Sequence, residues 1–209
     1  MDILEDEILV TKLQLGDQDA FDELMRRYKH RIYAYILRSV KNYEDAEELT
    51  IEVFFKVYRA LHKWQPQAKF STWLYKIAYN VSIDHHRSKK RQITQSLDNS
   101  LLSDEPMAKD LGSNPEKLIV EKDRHRVINQ AVDHLSQNQK KVFLMNRYDG
   151  LQIKEIAEIL GIAEGTVKIH LHRAIKKLRV LLQPFRAVSY THLRAHETRH
   201  DLVCRLLLE

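Results

Sequence analysis

The sequence predicts an all-α protein: two small helical domains joined by a flexible acidic linker, with a helix-turn-helix in the C-terminal domain. Three observations carry this. Apolar residues recur at helical spacing along most of the chain, and only five Gly and four Pro interrupt its 209 residues. Residues 92–114 lose that spacing and collect Ser, Asp, Asn and Gln. Residues 149–177, DGLQIKEIAEILGIAEGTVKIHLHRAIKK, hold two short amphipathic patterns around a glycine turn.

The elements follow in order. Gly16-Asp17 interrupts a first helix, and Asp17 or Asp19 can cap the second. That second helix carries Phe21, Leu24, Met25, Tyr28, Ile32, Tyr35 and Ile36 as an apolar stripe. A third covers roughly Tyr43 to Leu61, with Ala46, Leu49, Val53, Phe54 and Val57 inward. Lys63 to Lys69 contains Pro66 and is expected to be a loop. Ser71 or Thr72 then caps a fourth helix running to about Arg91. The first domain is therefore 1–91, and 92–114 is the linker, with Pro106, Gly112 and four acids against one Lys. Asn114-Pro115-Glu116 supplies an N-cap, a first-turn Pro and an acid, so a helix runs from Pro115 to His134. Ser136-Gln137-Asn138-Gln139 is a capping box that opens another helix, ending near Tyr148. The helix-turn-helix closes a second domain, 115–186.

In its first helix Ile153, Ile156, Ala157, Ile159 and Leu160 face inward, leaving Lys154, Glu155 and Glu158 to water. Gly161 takes the left-handed cap, and Ile162 plugs the corner. The second helix buries Val167, Leu171, Ala174, Ile175 and Leu178. Lys168, His170, His172, Arg173, Lys176, Lys177 and Arg179 occupy its other face. A basic second helix of this kind suits the major groove of duplex DNA: early residues reach base edges and later ones meet phosphates.

Residues 60–91, ALHKWQPQAKFSTWLYKIAYNVSIDHHRSKKR, interleave aromatics, amides and cations. Trp73, Leu74, Ile77, Ala78 and Val81 recur at core spacing. Lys76, Tyr79, Asn80, Ile83 and Arg87 share an adjoining face, with Tyr75 and His86 near it. Rings stack on unpaired bases, amides read base edges and cations hold phosphate, so this face suits single-stranded nucleic acid. Arg87, Lys89, Lys90 and Arg91 would grip flanking duplex. Phe70 and Trp73 are assigned to the core. Trp64, in a polar loop, is open to either role.

A net charge of +5 and a pI of about 9.2 favour an anionic partner. The N-terminus MDILEDEILV is acidic, unlike a secretory signal, and no apolar run is long enough to span a bilayer. A cytoplasmic protein is expected. His85-His86 and His170-x-His172 do not share a helix face as metal ligands need, so neither metal nor cofactor is expected. No phosphate loop or nucleophile motif supports an enzyme.

The tail, AVSYTHLRAHETRHDLVCRLLLE, breaks the pattern. VSYTHLRAHET resembles a translated transposase-type sequencing-library adapter, and DLVCRLLLE the flow-cell adapter that follows it. Residues 187–209 are read as a translated adapter artefact. Cys204, the only cysteine, falls within it. The tail carries three Arg against two Glu and one Asp, so its removal leaves the net charge at +5.

The motifs in order are GDQDAFDELMRRYKHRIY, DAEELTIEVFFKVYRAL, FSTWLYKIAYNVSIDHHR and QKKVFLMNRYDGLQIKEIAEILGIAEGTVKIHLHRAIKKLR. Together they resemble an extracytoplasmic-function (ECF) RNA polymerase sigma factor of the sigma-70 family, over nearly all of residues 8–182. The resemblance implies a non-enzymatic initiation factor acting with core RNA polymerase on promoter DNA. Region 2, here 1–91, would bind the β′ clamp helices through Asp45, Glu47, Glu48, Thr50 and Glu52. It would melt the −10 element using Lys63, Trp64, Gln65 and Gln67 of the loop and Lys76, Tyr79, Asn80, Ile83 and Arg87 of the helix. Region 4, 115–186, would dock on the β flap and read the −35 element through Thr166, Lys168, Ile169, His170, His172, Arg173 and Lys176. The linker would thread towards the active site and RNA exit path. An anti-sigma factor is a further partner the resemblance implies. Departures are Ile51, where the family usually has Gln, Ile169 and His170 at recognition positions, and Gln152 and Ala163 in place of Ser caps.

The alternative is a stand-alone helix-turn-helix regulator. Residues 70–91 discriminate, because such a regulator needs no melting surface. A nuclease would need a metal cluster that the sequence lacks.

Overall fold

The structure, a computed structural model, describes residues 5–62, 64–65, 69–96 and 127–192, with side chains to Arg91 in the fourth helix and Gln183 in the last. The fold is all-α, and every regular element among the described residues is a helix. These are α1 (Asp6–Gln14), α2 (Asp19–Val40), α3 (Tyr43–Leu61), α4 (Phe70–Ser96), α5 (127–133), α6 (Gln137–Arg147), α7 (Ile153–Leu160) and α8 (Glu164–His192). No helix among them is long and apolar enough to cross a membrane.

α1 to α4 pack around one core. Leu24, Tyr28, Ile32, Tyr35 and Ile36 of α2 are buried as the stripe predicts, while Phe21 and Met25 stay half-buried. All five inward residues expected on α3 are buried. Asp17 Oδ1 accepts from Asp19 N at 3.1 Å, so Asp17 supplies the start of α2. Asn42 Oδ1 accepts from Asp45 N at 2.9 Å and caps α3, after Lys41 turns the chain at a φ of 58°. Asp6 ties α1 to α2: it accepts from the Tyr28 phenol and lies 2.9 Å from Arg27 Nη1. Burial, then this carboxylate, push the Tyr28 phenol far above its usual range.

α4 departs from expectation at both ends. It begins at Phe70, so Ser71 and Thr72 lie inside the helix and Thr72 is buried. The open N–H of Phe70 is met by Glu7 Oε1 of α1 at 3.3 Å. A distant carboxylate replaces the local cap and also favours the positive helix terminus. At the other end α4 runs past Arg91 to Ser96, because Gln92 to Gln95 contain no Gly or Pro to stop it. The rest of the expected linker, 97–114, lies outside the described residues, as do Asn114-Pro115-Glu116.

The second unit centres on Ala131, Val132, Leu135, Phe143, Ala174 and Leu178, drawn from the α5 region, α6 and α8. The capping box at Ser136 is present, with Ser136 N donating to Gln139 Oε1 at 3.3 Å. Lys177 Nζ donates to His134 O at 2.5 Å, placing a cation at the end of α5. α8 continues beyond Arg186 to His192, and residues 193–209 lie outside the described residues.

Candidate nucleic-acid interface

The sequence-predicted residues fall on three surfaces. On α4, the buried side is Phe70, Leu74, Tyr75, Ala78 and Val81. Lys76, Asn80 and Arg87 are exposed, and Tyr79 and Ile83 half-buried, along one stripe of 3, 4, 7 and 11 residue steps. Tyr75 does not join that stripe: it is fully buried, edge-on to Tyr35 with ring centroids 5.4 Å apart. Arg87 lies 3.7 Å from Asp84 on open surface, a contact too weak to withhold it from phosphate. Lys89, predicted to grip duplex, lies 3.6 Å from Asp45.

Next to this stripe sits an aromatic cluster. Trp64 is half-buried, its ring centroid 6.4 Å from both Phe70 and Trp73, and Phe70 and Trp73 are 6.0 Å apart. Gln65 is exposed; Lys63 and Gln67 lie outside the described residues.

On α3, Glu47 and Glu48 are exposed, and Glu52 is half-buried 2.7 Å from Lys56. Two residues expected beside them are not free surface. Thr50 is 4% exposed and its hydroxyl donates to Ala46 O at 2.6 Å. Asp45 is half-buried, with Oδ2 3.2 Å from His85 Nε2. Sequence reasoning missed the apolar part of this surface. Ile51, Phe55 and Tyr58 are 71%, 59% and 36% exposed and line a groove of about 500 Å³ with Phe21 and Met25 of α2. Their spacing of 4 and 3 residues was the available signal, a second apolar stripe beside the core stripe.

α7 buries Ile156, Ala157 and Ile159, with Ile153 and Leu160 half-buried. Gly161 then turns the chain at a φ of 65°, as the left-handed cap requires. Ala163 O accepts from Thr166 N at 2.9 Å and Val167 N at 3.2 Å, closing the first turn of α8. Val167, Ala174 and Leu178 are buried, and Leu171 and Ile175 half-buried. Thr166, Lys168, Ile169, His172, Arg173 and Lys176 are all exposed, and Ile169 is 52% so. His170 is the exception. It is half-buried at the margin of the packed side, because its helical angle lies about 60° from Val167 and about 40° from Ala174, whereas Arg173 lies about 120° and about 100° from them. No group of His, Cys, Asp and Glu that could hold a metal occurs among the described residues.

These surfaces coincide with what the chain is similar to. Residues 24–92 match the family described as Sigma-70 region 2, and residues 125–178 match Sigma-70, region 4. The ECF RNA polymerase sigma factor SigW of Bacillus subtilis is 33% identical over 177 residues, covering 83% of this chain and 95% of that protein. The chain belongs to the ECF sigma factors of the sigma-70 family. The RNA polymerase sigma-H factor of Pseudomonas aeruginosa is 30% identical, covering 86% of this chain and 95% of that protein. The ECF sigma-E factor of Escherichia coli K12 is also 30% identical, at 87% and 96%. A solved complex of the sigma factor RpoE with the anti-sigma factor NepR from Bartonella quintana shares the fold. Its TM-score is 0.61 at 20% identity, covering 78% of this chain and 96% of that one. The protein is thus a non-enzymatic sigma factor that directs transcription initiation, and the stand-alone regulator is set aside.

Proposed function

We propose that this sigma factor recognises promoters with two separate readers. The first domain, extended by α4 to Ser96, acts on the −10 element and 115–186 on the −35 element, with 97–114 as the linker between them. The observation that carries this is the exposed stripe of Lys76, Asn80 and Arg87 beside half-buried Trp64, a surface built for unstacked bases rather than duplex. Trp64 and Gln65, with Lys63 and Gln67, hold a flipped base. Lys76, Tyr79, Asn80, Ile83 and Arg87 contact the rest of the melted strand.

On α8, Arg173 and Lys168 reach base edges, Ile169 meets apolar groups, and Thr166, His172 and Lys176 meet backbone. His170 supports the helix from its margin. The β′ clamp helices dock on α3, where Glu47, Glu48 and Glu52 supply charge, while Asp45 and Thr50 are engaged within the fold. The β flap takes the second domain. An anti-sigma factor, as in the RpoE–NepR complex, is the regulatory partner, and the protein works in the cytoplasm. The tail from residue 187 is an adapter-derived appendage and contributes nothing to promoter binding.

The test uses holoenzyme and promoters damaged at one element at a time. Asn80→Ala should weaken binding to single-stranded −10 DNA and leave a −35 duplex unaffected, and Arg173→Ala should do the reverse. Equal losses on both DNAs for both variants would contradict the division of labour.

A further inference from the structure

Glu7 and Gln14 lie two helical turns apart on one face of α1. They hold the two ends of the connection between α3 and α4. At its start, Gln14 Nε2 donates to Leu61 O at 2.9 Å and to Trp64 O at 3.0 Å. The same carbonyl of Leu61 accepts from Trp64 N at 3.1 Å, so the turn is closed from both sides. At its end, Glu7 Oε1 accepts from Phe70 N at 3.3 Å. The Trp64 ring spans these anchors by packing on Phe70 and Trp73.

We propose that Gln14 and Glu7 are positioning residues that set Trp64 for capture of an unstacked base, which makes α1 part of the promoter-melting apparatus. This rests on the −10 reading given above. A primary amide carries two N–H donors, so one side chain can satisfy two carbonyls at once. Each carbonyl belongs to the turn that presents Trp64. An indole free to swing must be ordered when the base arrives, and that ordering weakens capture; a ring fixed beforehand avoids the loss. Gln14 is itself exposed, so its bonds to the turn are not needed to fill the core.

The test titrates holoenzyme with a fork-junction DNA whose −10 non-template strand is single-stranded. The same DNA is then made abasic at one position at a time. For the wild type, one abasic position should weaken binding about tenfold, the scale of base–aromatic stacking. Gln14→Glu sets a carboxylate acceptor against two carbonyl acceptors, and its abasic penalty should shrink to about twofold or less. Gln14→Lys keeps a donor and should retain the wild-type penalty. The ratio of the two DNAs cancels any change in general phosphate affinity, and core polymerase affinity should be the same for all three chains. An undiminished penalty in Gln14→Glu overturns the proposal while leaving the −10 reading intact. A loss shared equally by Gln14→Lys also overturns it, since a donor is then not what matters. A wild type indifferent to every abasic position overturns both the proposal and the −10 reading.

Discussion

Asp45 Oδ2 on α3 lies 3.2 Å from His85 Nε2 on α4, and Lys89 Nζ stands 3.6 Å from the same oxygen. An acid that sequence reasoning turned outward is committed to its own fold. Its neighbours Glu47 and Glu48 remain exposed. The two kinds of acid should therefore separate experimentally. Asp45→Asn should cost under about 1 kcal/mol of stability, the range of partly exposed ion pairs, and leave core polymerase affinity near wild type. Reversing both Glu47 and Glu48 to Lys should leave stability intact and weaken core binding by about tenfold or more. Urea melts and a fluorescence-anisotropy titration with core polymerase check the two halves.

Acid sensitivity should trace in part to Glu23. Hydrogen bonds from Arg26 and then Arg27, at 2.8 Å, lower its carboxyl from 4.5 to about 2. A carboxylate with a lowered folded-state pKa stabilises above its unfolded value and loses that contribution as pH falls through the folded one. The window is therefore between pH 4.5 and about 2. Glu23→Gln should flatten the fall of melting temperature in that window and change little at pH 7. A wild-type slope retained in Glu23→Gln would assign the acid response elsewhere.

Gly161 offers a clean separation of strain from crowding. Its φ is 65°, and a Cβ built there would meet nothing within 4 Å. Gly161→Ala should cost about 1–2 kcal/mol through the left-handed backbone alone. Gly161→Asn should cost less, because Asn tolerates that conformation better. Thermal melts of the full chain compare the two, and equal costs would reject backbone strain as the cause.

On α8, Arg173→Ala should weaken −35 binding by about 1–3 kcal/mol if the guanidinium makes a bidentate base contact. It should also relax preference at one base pair. Lys176→Ala should weaken all sequences alike and lower the salt slope by about one. Competition titrations at several salt concentrations distinguish the two behaviours, and unchanged sequence preference in Arg173→Ala would reject its assigned role.

Much of this fold was legible because its signals are local. Helix α3 runs from Tyr43 to Leu61 as its periodicity predicts, and the Ser136 box and Gly161 turn sit where short-range chemistry requires. What escaped was set by partners far away in sequence. The start of α4 depends on Glu7, which no pattern near Ser71 can reveal. Tyr75 lies between two helix faces, and only contact with Tyr35 decides that it is buried. Thr50 is polar by composition, yet its hydroxyl bonds back to Ala46 O and the side chain stays inside. The exposed stripe of Ile51, Phe55 and Tyr58 was masked by the stronger core stripe running beside it. His170 and Arg173 are both basic types, and only their helical angle separates margin from open face.

The central claim is that this chain acts through core polymerase and reads a promoter at two elements. Run-off transcription with purified core enzyme tests it most directly, using promoters altered separately at −35 and −10. The account predicts a transcript only when chain and core are both present, lost when either element is altered. Tight core-independent binding to duplex DNA, with no promoter-dependent transcript, would contradict it.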